Sequence, residues 1–161
     1  MCDYCGCRRS GPTAELAAEH EHLQDLGNLL HTALHDGVDA SDVFDEFVRL
    51  LQMHAAKEEV GLFVHARSST PLSDQIDALC REHDDLHRWL ADGLTGPRVP
   101  DALRLLVTHI DDEEYDLFPH RTVLDNLTDA IGLEFPKELA IRKAVITLRM
   151  AGFTEEKSRE I

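Results

Sequence analysis

Ten histidines in a 161-residue chain are more than packing requires, and their spacing carries the first clue. The segments HAAKEEVGLFVH (54–65) and HIDDEEYDLFPH (109–120) share the pattern HxxxEExxLFxH. A second pair, EHEHL (19–23) and EHDDL (82–86), precedes each of them. The chain therefore reads as two copies of one unit, EHxxL followed by HxxxEE. Residues four apart share one face of a helix about a turn apart, so His54 projects with Glu58, His109 with Glu113, and His83 with His87. His20 adds an imidazole from the first segment. If these stripes face inward, five imidazoles and two carboxylates meet in one interior.

A lone histidine on an apolar face is most often a core residue with its hydrogen bonds satisfied. Seven ionisable groups converging on one core need a different account, because an unpaired buried charge costs several kcal/mol. A metal cluster removes that cost, since neutral imidazole and carboxylate are both good ligands. Two carboxylates can each bridge two ions. With five histidines divided three and two, and one oxo or hydroxo bridge, one ion has six ligands and the other five. The five-coordinate ion keeps an open position for a small molecule, the mark of a functional site. Nitrogen and oxygen ligation without thiolate points to two iron ions, with manganese or zinc as substitutes.

Four amphipathic helices must position these residues. Thr13 is an expected N-cap for the first, in which Leu16, Leu23, Leu26, Leu30 and Leu34 recur at helical spacing. DGVDASD (36–42) breaks it, and Ser41 or Asp42 caps a second helix running to about Ala66. After RSSTPL (67–72), Ser73 caps a third helix that ends near Gly93. GLTGPRVP (93–100) leads to a fourth, capped near Asp101 and running to Pro119 or beyond. Short connections between segments of about 20 residues, each about 30 Å long, describe an all-α, up-down-up-down bundle. The expected division is a cysteine-containing arm over 1–12, the bundle over 13–125 and a helical extension over 126–161.

Bulk composition agrees. Hydrophobic residues make up 43% and charged residues 29%, while aromatics are only 6%, an ordinary balance for one soluble domain. A net charge of -15 argues against a nucleic-acid partner and against anionic membrane surfaces. No apolar run approaches the roughly 18 residues of a spanning helix, and none follows the opening MCDYCGCRR. The expected location is cytoplasmic.

The order H, HxxxE, HxxxH, HxxxE across four helices resembles the hemerythrin-like, or HHE cation-binding, domain. The resemblance covers about residues 13–120, and its combined motif is highly specific. It implies a di-iron centre in a four-helix bundle that binds dioxygen reversibly at one iron; some bacterial members resemble sensors of oxygen, iron or redox state, or act on peroxide or nitric oxide. Carried over, the metal ligands fall on His20, His54, Glu58, His83, His87, His109 and one last carboxylate. Animal hemerythrins place an aspartate five residues after the final histidine, whereas here both neighbouring offsets are glutamate. Glu113 lies about 40° from His109 around the helix and Glu114 about 140°. The match of Glu113 to Glu58 in the repeat supports the same choice.

Other features have plainer readings beside the chemical ones. His22 is expected to be exposed. His65 and His120 recur eleven residues after a ligand histidine, where they could line an access path but more commonly meet water at a bundle end. His31 and His35 read as structural. Gly27 and Gly61 lie two turns from His20 and His54 and either leave room for a ligand or ease packing. Cys2, Cys5 and Cys7 form CxxCxC, possible redox or metal thiols, but three thiolates without a fourth ligand are a weak metal motif. Cys80 reads as a small buried residue. Pro136 opens a further helix that ends before Gly152, and Thr154 can cap one more turn. From Lys137 to Ile161 six Lys/Arg face four Glu. That basic tail reads as a packed fifth helix, or with the arm as a surface for a protein partner.

The resemblance thus implies an oxygen-binding or oxygen-, redox- or iron-sensing di-iron protein, and no nucleophile–base pair, phosphate loop or arginine clamp beside the site points to a catalyst with a dedicated substrate. The alternative is a di-iron enzyme consuming peroxide or nitric oxide at the same open position.

Overall fold

A computed structural model of the chain describes residues 12–67 and 72–120. The arm with Cys2, Cys5 and Cys7, and the extension with its basic tail, lie outside the described residues. So do the side chains of His65 and His120. The described residues form an all-α, four-helix bundle, with no strand among them. Its first hairpin joins α1 (Pro12–Asp36) to α2 (Ser41–Lys57), which continues through a π-helical turn (Glu58–Leu62) into the short α3 (Phe63–Ala66). Its second joins α4 (Ser73–Leu90) to α5 (Val99–Asp112), followed by a second π-helical turn (Glu113–Leu117) and a 3-10 turn (Phe118–His120). No helix among the described residues is long and apolar enough to cross a membrane.

Leucine and phenylalanine at helical spacing drive the assembly, each fully buried side chain contributing roughly 1.5–3 kcal/mol. These residues fall into two clusters, not one continuous core. The larger gathers Leu23, Leu26, Leu30, Phe44, Phe47 and Leu51 from the first hairpin with Leu86, Leu90, Leu103, Leu106 and Ile110 from the second. The smaller joins Leu16, Phe63, Ala66, Leu72, Ile76, Leu79, Leu117 and Phe118. Thr13 apart, the buried polar residues of the helices are the histidines and glutamates of the repeat, and they lie where the two clusters meet. The bundle is therefore two apolar plugs with a polar layer between them.

The helix starts differ slightly from the sequence expectation. Ser41, Ser73 and Asp101 lie inside their first turns and do not cap them. Instead, Asp39 accepts hydrogen bonds from the Ser41 backbone N–H (3.1 Å) and hydroxyl (2.6 Å) just ahead of α2. Asp101 pairs with Arg98 and Arg104. At the other end of α1, Gly37 takes a positive φ of 68°, which lets the Val38 N–H return to the Ala33 carbonyl at 3.0 Å.

The two π-helical turns have the larger consequence. Each contains the hydrogen bond that defines it, from Phe63 N–H to the Glu58 carbonyl and from Phe118 N–H to the Glu113 carbonyl. A π turn packs an extra residue into one turn and so reduces the rotation per residue. Consecutive residues then diverge less around the axis, and Glu58-Glu59 and Glu113-Glu114 can both turn inward. Glu58 and Glu113 are fully buried and Glu114 is nearly so.

Candidate metal centre

Six side chains meet in the polar layer: His20 from α1, His54 and Glu58 from the α2 rod, His83 from α4, and His109 and Glu113 from the α5 rod. All are at most 1% exposed. Their donor atoms form two four-residue groups, His20–His54–Glu58–Glu113 and His83–His109–Glu58–Glu113, either of which could hold a metal ion. The two carboxylates belong to both groups. Glu58 turns one oxygen to each side, with Oε1 3.1 Å from His54 Nε2 and Oε2 3.3 Å from His83 Nε2. Glu113 Oε2 lies 3.1 Å from His20 Nε2 and 3.5 Å from His109 Nε2. The arrangement suits two ions side by side, bridged by two glutamates.

Around this set stands a ring of four further carboxylates. The Nδ1 of His20 meets Glu114 at 3.2 Å, that of His54 meets Glu19 at 3.0 Å, that of His83 meets Glu59 at 3.1 Å, and that of His109 meets Glu82 at 2.8 Å. An ionised carboxylate only accepts, so each Nδ1 donates its proton and each Nε2 is left as a lone pair aimed inward. The consequence is unfavourable without a cation. His20 Nε2 and His54 Nε2 lie 3.0 Å apart, as do His83 Nε2 and His109 Nε2. Two lone pairs at that distance repel, and all four oxygens of Glu58 and Glu113 are buried without a hydrogen-bond partner. Buried acceptors facing acceptors fit a pair of cations, which would take ligands from each group.

The imidazoles and carboxylates of the layer also shift one another's proton affinity. Burial pushes His20 down, yet Glu113, Glu114 and Glu58 overcome it and hold the imidazole well above its ordinary 6.5. His54 is raised against its burial by Glu58 and Glu19. Burial would lift Glu58, but His54, His20 and His83 bring it well below the usual carboxylate range. Without metal, protons are the cations that such a site holds.

The stacking of rings adds rigidity. Phe118 lies parallel to His20 and Phe63 parallel to His83, each pair with ring centroids 5.8 Å apart. The two phenylalanines are the repeated LF positions, and each covers an imidazole of the opposite hairpin.

Of the residues picked out from sequence, the structure brings together His20, His54, Glu58, His83, His109 and Glu113. His87 stands apart from both groups. Its Nε2 is buried without a hydrogen-bond partner, and burial, then the neighbouring His83, lowers its pKa to about 4. At neutral pH it is therefore an uncharged imidazole with its Nε2 unpartnered. His22 is exposed, beside Glu46 at 3.6 Å, and His31 and His35 are exposed as well. Gly27 approaches Leu103 and Phe47 in the larger apolar cluster, so it eases packing there. Cys80 is half-buried, 3.6 Å from Arg67. Sequence reading gave no role to Glu19, Glu59, Glu82 or Glu114. Their signal was nonetheless present, in the glutamate preceding each histidine of EHxxL and the doubling in HxxxEE.

The family model described as "Hemerythrin HHE cation binding domain" matches residues 11–120. Among curated proteins, an uncharacterized ABC transporter ATP-binding protein of Methanocaldococcus jannaschii is 61% identical over 49 residues, which is 30% of this chain and 9% of that protein. The match thus spans less than a tenth of that relative's length. No solved structure matches the chain.

Proposed function

Since the chain belongs to the hemerythrin HHE cation-binding domain family, we propose that its polar layer holds two iron ions and binds dioxygen, or a related small ligand, for oxygen binding or for oxygen, redox or iron sensing. The observation that carries this reading is the paired lone pairs: two sets of imidazole Nε2 atoms 3.0 Å apart, joined by two glutamates common to both. Nitrogen and oxygen donors without thiolate suit iron. Bound iron would supply reversible redox chemistry and a coordination position for a diatomic molecule or peroxide.

The chain's own residues fix how that chemistry is framed. Glu58 and Glu113, common to both groups, would each serve both ions, and the outer carboxylates hold the four imidazoles in the tautomer that would ligate through Nε2. His87, one turn beyond His83 on α4, is the neutral donor available to complete the His83–His109 ion. The repeat places Gln24 at the matching position on α1, so an ion held by His20 and His54 would find one imidazole fewer there and would keep a position for a small ligand. The apolar plugs on either side exclude water from the layer.

Two measurements test the reading. Metal analysis of protein produced with iron supplementation should find close to two irons per chain; far fewer would refute the centre. Oxygen titration of the ferrous protein should then give a stable, reversible oxygenated spectrum. Rapid autoxidation with turnover of added peroxide or nitric oxide would instead select the enzymatic alternative.

A further inference from the structure

The internal repeat matches Glu19 with Glu82, Glu15 with Ala78, Lys57 with Asp112 and Gly61 with Asp116. In the first hairpin the Lys57 ammonium reaches over Glu19, which accepts from His54, and pairs with Glu15 at 2.5 Å. In the second hairpin a pocket of about 390 Å³ takes its place, lined by Gln75, Ala78, Leu79, Glu82, Asp112 and Asp116. These are the repeat equivalents of the residues around Lys57, so the pocket is the space a lysine would fill. Among the described residues no Lys or Arg forms an ion pair with Glu82, Asp112 or Asp116, whereas Lys57 offsets one of the two carboxylates beside it.

We infer that Lys57 and Asp112 make the two cation positions unequal, so that the one between His83 and His109 binds more tightly and fills before the one between His20 and His54. The inference rests on the two-cation reading of the centre. Neither residue is a ligand; both act through the field and through the outer carboxylates. Around Glu19 the local charge of Glu15, Glu19 and Lys57 is one negative, while around Glu82 the charge of Glu82, Asp112 and Asp116 is three negative. In a partly buried setting such a difference is felt by a divalent ion over the distance of a few side chains, with salt screening beyond about 8–10 Å. Lys57 also draws on the Glu19 carboxylate, leaving it a poorer acceptor for the His54 N–H. Glu82 has no such competitor, and a more strongly held N–H makes His109 a more basic ligand.

His87 favours the same position, so filling order alone does not isolate the charges; changes at Lys57 and Asp112 do. The full metal-free chain would be titrated with Co²⁺, following its visible absorption, against a competing chelator to obtain both stepwise constants. His109→Ala should remove the tighter step and His54→Ala the weaker. Asp112→Asn should weaken the tighter step about tenfold, and Lys57→Met should tighten the weaker one about tenfold, both effects shrinking in high salt. If the metal-free chain does not keep its fold, chelator stripping of the Co²⁺-loaded chain gives the same order in reverse, the His20–His54 ion leaving first. Two steps whose ratio ignores both substitutions would overturn the inference while leaving the two-cation centre standing. Absence of any Co²⁺ binding would overturn both.

Discussion

The two hairpins of the bundle agree most closely at its centre and diverge outward. Each contributes two inward imidazoles, one shared glutamate, an outer carboxylate for one of its own histidines and another for a histidine of its partner. Each lays one phenylalanine on an imidazole across the bundle. One layer further out the match ends: the repeat sets Asp112 where the first hairpin has Lys57, and His87 where it has Gln24. Groups that would touch a metal are constrained by its geometry on every side. Groups that act only through charge or by adding one ligand can differ, and that freedom would let two halves of a repeat take different parts.

The largest effect should separate shared from one-sided ligands. Glu58→Ala and Glu113→Ala each remove a donor from both groups, so either variant should retain almost no metal. His54→Ala and His109→Ala should each leave about one ion per chain. Metal content by mass spectrometry decides: a Glu58→Ala protein that keeps one ion as firmly as His54→Ala does would show that the glutamate is not shared.

Next come the outer carboxylates, whose loss typically costs 10- to 100-fold in metal affinity. Glu59→Ala should therefore lower metal content less than Glu58→Ala, and equal losses would place both residues on the metal. Between the hairpins, Glu82→Gln should cost more than Glu19→Gln, because Glu19 already divides itself between His54 and Lys57. Chelator competition on the loaded variants measures the difference, and a larger loss from Glu19→Gln would reverse the ranking of the two halves.

The metal-free chain should show a stability optimum in pH near 6.5. His20 and His54 titrate above their ordinary value in the fold, so their stabilisation is complete below pH 6.5 and is lost as pH rises through their folded values. His87 behaves oppositely. Its folded pKa of about 4 lies below the unfolded 6.5, so stability falls as pH drops from 6.5 towards 4 and unfolding takes up a proton. Glu58, held well below 4.5, adds stability above pH 4.5 that disappears only in stronger acid. Thermal unfolding of the stripped protein across pH 4–9 tests this. With metal bound the alkaline loss should vanish, since the ions replace the protons on His20 and His54. A stripped protein that grows steadily more stable up to pH 9 would contradict the raised histidines.

Much of this was legible in the sequence because helical periodicity is simple geometry. His54 with Glu58 and His109 with Glu113 were placed together by four-residue spacing alone, and the repeat selected Glu113 over Glu114. The π-helical turns were not legible, since a single widened turn leaves no signature in apolar spacing. That is why Glu114, placed well round the helix by regular geometry, is buried against His20. The outer ring of carboxylates was missed for a related reason: Glu19 and Glu82 reach across to a neighbouring helix, and only the packed structure shows the partner. His87 has the opposite history, aligned with His83 by spacing yet outside both donor groups.

The smallest effect concerns the rings over the imidazoles. Phe63 and Phe118 are fully buried, each stacked on one histidine of the opposite hairpin. Leucine in either place keeps most of the apolar volume but removes the flat surface, at a cost of about 1–1.5 kcal/mol. Phe47 is buried in the larger apolar cluster with no such histidine contact described, so Phe47→Leu serves as a control of similar volume change. All three variants should lose comparable stability in denaturant. Only Phe63→Leu and Phe118→Leu should also weaken metal binding, by a few fold, because their imidazoles gain freedom to turn away from the centre. The repeat makes the expectation symmetrical: Phe118→Leu should act on the ion of His20, and Phe63→Leu on the ion of His83. If Phe47→Leu weakens metal binding as much, the rings act through general packing and the two-fold pairing of phenylalanine with histidine has no part in holding the centre.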